Sequence, residues 1–218
     1  MEYTANSPIY SHWLPLFTVL FGTGCRIGEV IGLRWDDLDY ENREISINHA
    51  VIYRVMENGK AEFHVSTPKT KAGKRKIPMM EAVYQAFRDE YEAQKESGFN
   101  IEICDGMSGF VFANRNGGLH NPANINRAIR RIYEAYNAEE IIKAKKEKRV
   151  PILIPHFSCH HMRHTFCTRL CEVEENIKVA QDIMGHADVS TTLNIYAEAS
   201  DTAKLQAVNN MQKIFDIF

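Results

Sequence analysis

What this 218-residue chain lacks narrows it first. It has no Cys-x-x-Cys pair, and its five cysteines (Cys25, Cys104, Cys159, Cys167 and Cys171) form an odd set without framework spacing. No signal-like stretch opens the chain. Together these predict free thiols in a reducing, cytoplasmic setting. No apolar run is long enough for a membrane helix: "WLPLFTVLFGTGC" covers about 13 residues, where a span needs ~20. It therefore predicts a core helix. Excess charge of one sign is missing too. Lys and Arg total 26 against 28 Asp and Glu, a formal net charge of −2 with pI near 6.5. That balance gives no global sign of nucleic acid, although a local basic face can hide within a neutral total. Gly22, Gly24 and Gly28 miss the G-x-G-x-x-G spacing by one residue and follow a helix rather than a strand, so no dinucleotide loop is read there. No repeat or low-complexity tract occurs.

What is present has the make-up of an ordinary globular domain, 44% apolar and 25% charged, long enough to bury a full core. Residues 10–21 predict a buried helix, and "RIGEVIGLRWDDLD" a second one ending near Trp35. "REISINHAVIYRV" alternates apolar and polar residues as a strand does. "FHVSTPKT" and "KRKIPM" read as short strands around a basic hairpin tip, "KAG". Helical spacing returns over 81–95 and from Pro122 to about Arg149, where Pro suits the first turn. Further helices are expected over 158–174, over 177–185 with Gly185 as the stop, and at the end in "AKLQAVNNMQKIFDIF". The fold class is mixed, mainly α with a small antiparallel sheet of about three strands.

"FSCHHMRHTFCTRLC", residues 157–171, concentrates three His, two Arg and three Cys. At about 100° per residue, His160, His164, Cys167 and Cys171 fall on one helical stripe. Cys171 lies eleven residues beyond His160, roughly 16 Å along a helix, whereas Zn–ligand bonds are ~2.0–2.3 Å. One ion cannot collect all four, so Cys167 and Cys171 are expected to be small core residues, and an inward His164 a satisfied core or orienting residue. His160 and Arg163, spaced i, i+3, would share the first turn of a helix capped by Ser158. Free N–H groups there favour an anion, Arg offers a planar fork for phosphate oxygens, and His can carry a proton near neutral pH. His-x-x-Arg alone is a common pattern.

Three other stretches supply partners. "TGCRIGEVIGL" places Arg26 at a helix start after a glycine break. "TPKTKAGKRKIP" gathers Lys69, Lys71, Lys74, Arg75 and Lys76. "MGHADVSTTLNIY" sets His186 just past a helix end and Tyr196 ten residues on. In this order, and over nearly the whole chain, the four stretches resemble the catalytic domain of tyrosine recombinases, the phage-integrase family, in a flavour similar to integrases of conjugative transposons and prophages. The resemblance implies that fold and a site-specific recombinase that cleaves and rejoins DNA strands without metal, ATP or other cofactor. Tyr196 would attack the scissile phosphate, giving a 3′-phosphotyrosyl link and a free 5′-hydroxyl. Arg26 and Arg163 would clamp the non-bridging oxygens, and His186 would donate a hydrogen bond to one of them. His160 would act as general base, and Lys69 would protonate the leaving oxygen, with Lys71 as the other choice of lysine. Glu29 could orient Arg26 or be a surface charge.

The resemblance also implies partners: double-stranded DNA, further copies in a tetramer on DNA, and accessory directionality factors, in a cytoplasmic, DNA-associated setting. Residues 1–218 read as one catalytic domain, without the N-terminal DNA-binding domain that family members usually carry. Residues 200–218 are expected to form a last helix whose apolar face either packs on its own domain or docks on a neighbouring protomer. Two other functions share parts of the pattern, a non-catalytic DNA-binding relative and a type IB topoisomerase-like nickase. The complete residue set opposes the first.

Overall fold

The structure, a computed structural model, describes residues 1–55, 59–68 and 70–199. A short α1 (Glu2–Ala5) and a 3-10 turn (Ser11–Trp13) lead into α2 (Leu14–Thr23) and α3 (Ile27–Gly32). Five strands follow among the described residues: β1 (Leu38–Asp39), β2 (Glu44–Ile47), β3 (Ala50–Val55), β4 (Ala61–Ser66) and β5 (Arg75–Pro78). Helices follow: α4 (Glu81–Ser97), α5 (Pro122–Glu147), α6 (Cys159–Val173), α7 (Ile177–Met184) and α8 (Val189–Ala199).

The helix read through Trp35 stops at Gly32. Its continuation is taken over by strand-like pairing, with Val111 N–H donating to Leu33 O (2.7 Å) and Trp35 N–H to Gly109 O (3.0 Å). Tertiary hydrogen bonds here outweigh the helical spacing. The single long strand read over 43–55 is two strands. It breaks at Asn48 and His49, where the buried His49 ring meets Gly32 O at 2.6 Å and Asn48 Nδ2 donates to Asp37 Oδ1 at 3.0 Å.

The sheet is correspondingly divided. β1, β2 and β5 form an antiparallel three-stranded sheet with Ile45 opposite Ile77, and β3 and β4 form a separate antiparallel pair with Val51 opposite Val65. The stretch around Lys71 is therefore not a hairpin tip between paired strands: β4 pairs with β3, and β5 with β2. It is a crossover between two sheets, with a 3-10 turn at Lys71–Gly73.

Among the described residues, two apolar clusters hold the fold together. The main one is built on α2, whose Leu16, Val19 and Leu20 are buried where it packs against α4 and α6, together with Ile45, Ile77, Phe87, Phe110 and Ile129. Each such side chain, fully buried, contributes ~1.5–3 kcal/mol. The second cluster joins the far half of α6 to α7 and α8 through Cys167, Cys171, Ala180 and Met184, with Ile195 and Tyr196 packed on it. All five cysteines are free and buried. No helix of the described residues is long and apolar enough to cross a membrane.

Candidate active site

Two helix ends, at Gly24 and at Gly185, meet at one corner of the fold. α2 ends on Gly24 in the left-handed conformation (φ 62°), and a side chain there would strike the Phe166 ring. Only glycine turns the chain sharply enough at that point. Arg26, two residues on, is the N-cap of α3 and is half-exposed. α7 ends the same way, on Gly185 (φ 65°), which delivers His186 to the same place.

Arg163 joins these breaks. It lies in the first turns of α6, is 5% exposed, and donates to Gly24 O (2.6 Å) and Met184 O (2.7 Å). Arg26 reaches the same corner, Nη2 to Gly185 O at 3.5 Å. Burial first, then the neighbouring Arg26, pull the Arg163 pKa down to about 10, so it stays charged at neutral pH. Two guanidinium groups are thus held close at a cost in repulsion that a bound anion would relieve.

His186 is buried beside them. Burial, followed by the charges of Arg163 and Arg26, lowers its pKa to about 4, so the ring is neutral at pH 7. Its Nδ1 lies 2.8 Å from Thr192 Oγ1, and that hydroxyl is itself fully buried. When Thr192 donates to Nδ1, the proton of the neutral ring sits on Nε2 and points a donor at an incoming oxygen.

Thr192 also locates the tyrosine. Thr192 and Tyr196 are one turn apart on α8 and share a face. Tyr196 is half-buried with its ring on the second cluster. The hydroxyl that fixes His186 therefore fixes the face of α8 that carries Tyr196.

His160 occupies the exposed side of the first turn of α6, with Nε2 2.7 Å from His164 Nε2. Ser158 is the N-cap as expected; its N–H donates to His161 Nδ1 (3.2 Å), and its hydroxyl pairs with the same nitrogen (2.9 Å). Cys167 and Cys171 face the second core, as their helical stripe suggested. Lys69 lies outside the described residues; Lys71 opens the 3-10 turn.

Sequence reasoning left Glu29 open and did not single out Arg75 or Thr192. Glu29 is buried, and its carboxylate accepts from the Arg26 backbone N–H (2.8 Å) and Arg26 Nη1 (3.0 Å), capping α3 and orienting the arginine together. Burial alone would raise its pKa, but hydrogen bonds and charge from Arg75, then the Arg26 contacts, hold it below the usual carboxylate range. A signal for Arg75 existed. On β5 it sits two residues before the buried Ile77, on the same inward face. Nothing in the sequence pointed to Thr192.

The model of the phage integrase family matches residues 1–203. The transposase from transposon Tn916 of Enterococcus faecalis is 37% identical over 195 residues, covering 89% of this chain and 44% of that protein. A XerC-like tyrosine recombinase of Caldanaerobacter subterraneus is 26% identical over 207 residues, 92% of this chain and 49% of its own length. Among solved structures, the Tn1549 transposon integrase in complex with a circular intermediate DNA superposes with a TM-score of 0.79 at 32% identity, over 96% of this chain and 62% of that one. The chain thus spans about half the length of the curated relatives it matches.

Proposed function

The chain belongs to the phage integrase family, and on that premise we propose that it is the catalytic domain of a site-specific recombinase that integrates or excises a mobile DNA element. Tyr196 Oη attacks the scissile phosphorus of double-stranded DNA as its proton passes to His160. A 3′-phosphotyrosyl bond forms, the bond to the 5′-oxygen breaks, and Lys69 protonates that oxygen. The 5′-hydroxyl of a partner strand then reverses the sequence. The phosphodiester energy is kept in the covalent link, so no ATP is consumed. Arg26 and Arg163 offset the charge that builds on the non-bridging oxygens, and neutral His186 adds a hydrogen bond.

The observation that carries this is the Arg26–Arg163–His186 corner, joined through Thr192 to the face of α8 that bears Tyr196. The Tn1549 relative is described in complex with DNA, which favours duplex DNA as the partner. A tetramer on DNA, accessory directionality factors and a cytoplasmic, DNA-associated setting belong to the same proposal. Docking of the last helix, in cis or on a neighbour, concerns residues 200–218, outside the described residues.

The test is a nicked suicide DNA carrying the crossover site. The wild-type chain should become covalently linked and shift on a denaturing gel, Tyr196→Phe should not, and EDTA should change nothing. A shift that survives Tyr196→Phe, or one that a chelator abolishes, overturns the mechanism.

A further inference from the structure

Arg75 lies buried behind the Arg26–Arg163–His186 corner and reaches it through Glu29, which also holds Arg26, and through the end of α7, which carries His186. Its side chain is 5% exposed, and that of its partner Glu29 is 6% exposed, against 48% for Arg26. Nε donates to Ile183 O at 2.7 Å, on the last turn of α7. The two terminal nitrogens lie on the two oxygens of Glu29, Nη1 to Oε1 at 3.1 Å and Nη2 to Oε2 at 2.9 Å. The same oxygens accept from Arg26, Oε1 from its guanidinium and Oε2 from its backbone N–H. The guanidinium also fills the space beside Gly185, where a Cβ would lie 2.8 Å from Nη1.

We propose that Arg75 is a positioning residue that acts through Glu29 and α7. By bonding both oxygens of the Glu29 carboxylate, it leaves the Arg26 guanidinium available to the scissile phosphate. By bonding Ile183 O and backing Gly185, it sets His186 beside that phosphate. This rests on the recombinase reading above.

The physical reason is charge balance. Glu29 is buried and ionised, so its charge must be met. With Arg75 in place, Glu29 is already neutralised when Arg26 turns toward DNA. Without Arg75, only Arg26 remains beside Glu29, and the attraction pulls it inward, away from the substrate. A buried ion pair is by itself weak evidence for a stabilising role. The shared carboxylate favours a role in placing charge instead. Lysine at this position would keep the charge but lose the planar fork that meets both oxygens and Ile183 O at once.

The experiment compares the single-turnover rate of covalent complex formation on suicide DNA for wild type, Arg75→Gln and Arg75→Lys, alongside DNA affinity. The expected slowing is ~100-fold for Arg75→Gln and ~10-fold for Arg75→Lys, because a misplaced clamp of this kind costs about that much. The Kd for DNA should stay within about threefold, since Arg75 is too buried to meet a backbone phosphate. The second arm uses DNA whose scissile phosphate is replaced by a methylphosphonate, which carries no charge for Arg26 to offset. There the Arg75→Gln penalty should shrink to roughly tenfold or less. Should Arg75→Gln not fold, Arg75→Lys carries the same comparison.

Wild-type rates in both variants, or equal penalties on charged and uncharged DNA, would show that Arg75 only supports the fold and would overturn the inference. A wild-type chain that forms no covalent complex, or a Tyr196→Phe chain that still does, overturns the recombinase reading instead.

Discussion

His186 links protonation to folding. Its ordinary pKa near 6.5 falls to about 4 in the folded chain. Between those values the unfolded chain binds a proton that the folded one refuses, so stability rises with pH across that window. The contribution is complete above pH 6.5 and is lost as pH falls through 4. His120, also lowered to about 4 by burial, acts in the same sense. Urea unfolding should therefore show a loss of roughly 1–3 kcal/mol attributable to His186 between pH 7 and 4.5. In His186→Asn the pH slope over that range should be shallower by that amount; an unchanged slope would place the proton elsewhere. At the same scale, Arg26, His160, Arg163, His186 and Tyr196 stand out in the sequence because they fall in motifs that resemble those of the phage-integrase family. Glu29, Arg75 and Thr192 do not, because their parts are defined by bonds across 46 residues in one case and by one buried hydroxyl in the other.

Among elements, α8 carries the consequence. It docks on α6 and α7 through the second, small cluster, in which Met184 is fully buried beneath Ile195 and Tyr196. Few apolar groups hold this helix, so its position is sensitive to any one of them. Met184→Ala should cost ~2–4 kcal/mol in unfolding free energy. It should also slow covalent complex formation by more than it weakens DNA binding, because the cavity opens under the tyrosine. Equal losses in both would show that α8 keeps its place without this packing. The helices at 81–97, 122–147 and 177–184 followed from period and caps. The end of α3 and the split between β2 and β3 did not, since both are decided by hydrogen bonds to distant backbone.

Across the whole molecule, 26 basic and 28 acidic residues nearly cancel, yet the corner of Arg26 and Arg163 is locally cationic. Binding to duplex DNA should accordingly be weak and strongly salt-dependent, with log K falling by ~0.9 per phosphate contact for each unit of log salt. Fluorescence anisotropy between 50 and 200 mM salt, on the order of a tenfold loss or more, would check this. A salt-independent affinity would argue against phosphate contacts.

By itself the sequence determined that helices would dominate and that one metal ion could not gather His160, His164, Cys167 and Cys171, conclusions that need only residue type, period and the rise of a helix. Which side chains would perform the chemistry rested instead on the likeness of four motifs, in order, to those of the phage-integrase family. The tertiary structure alone decided that the basic stretch is a crossover between two sheets, that Arg75 and Glu29 lie beneath the arginine corner, and that Thr192 ties His186 to the tyrosine's helix. Strand partners and buried charge pairs depend on what distant segments bring into hydrogen-bonding range, and no local pattern encodes that.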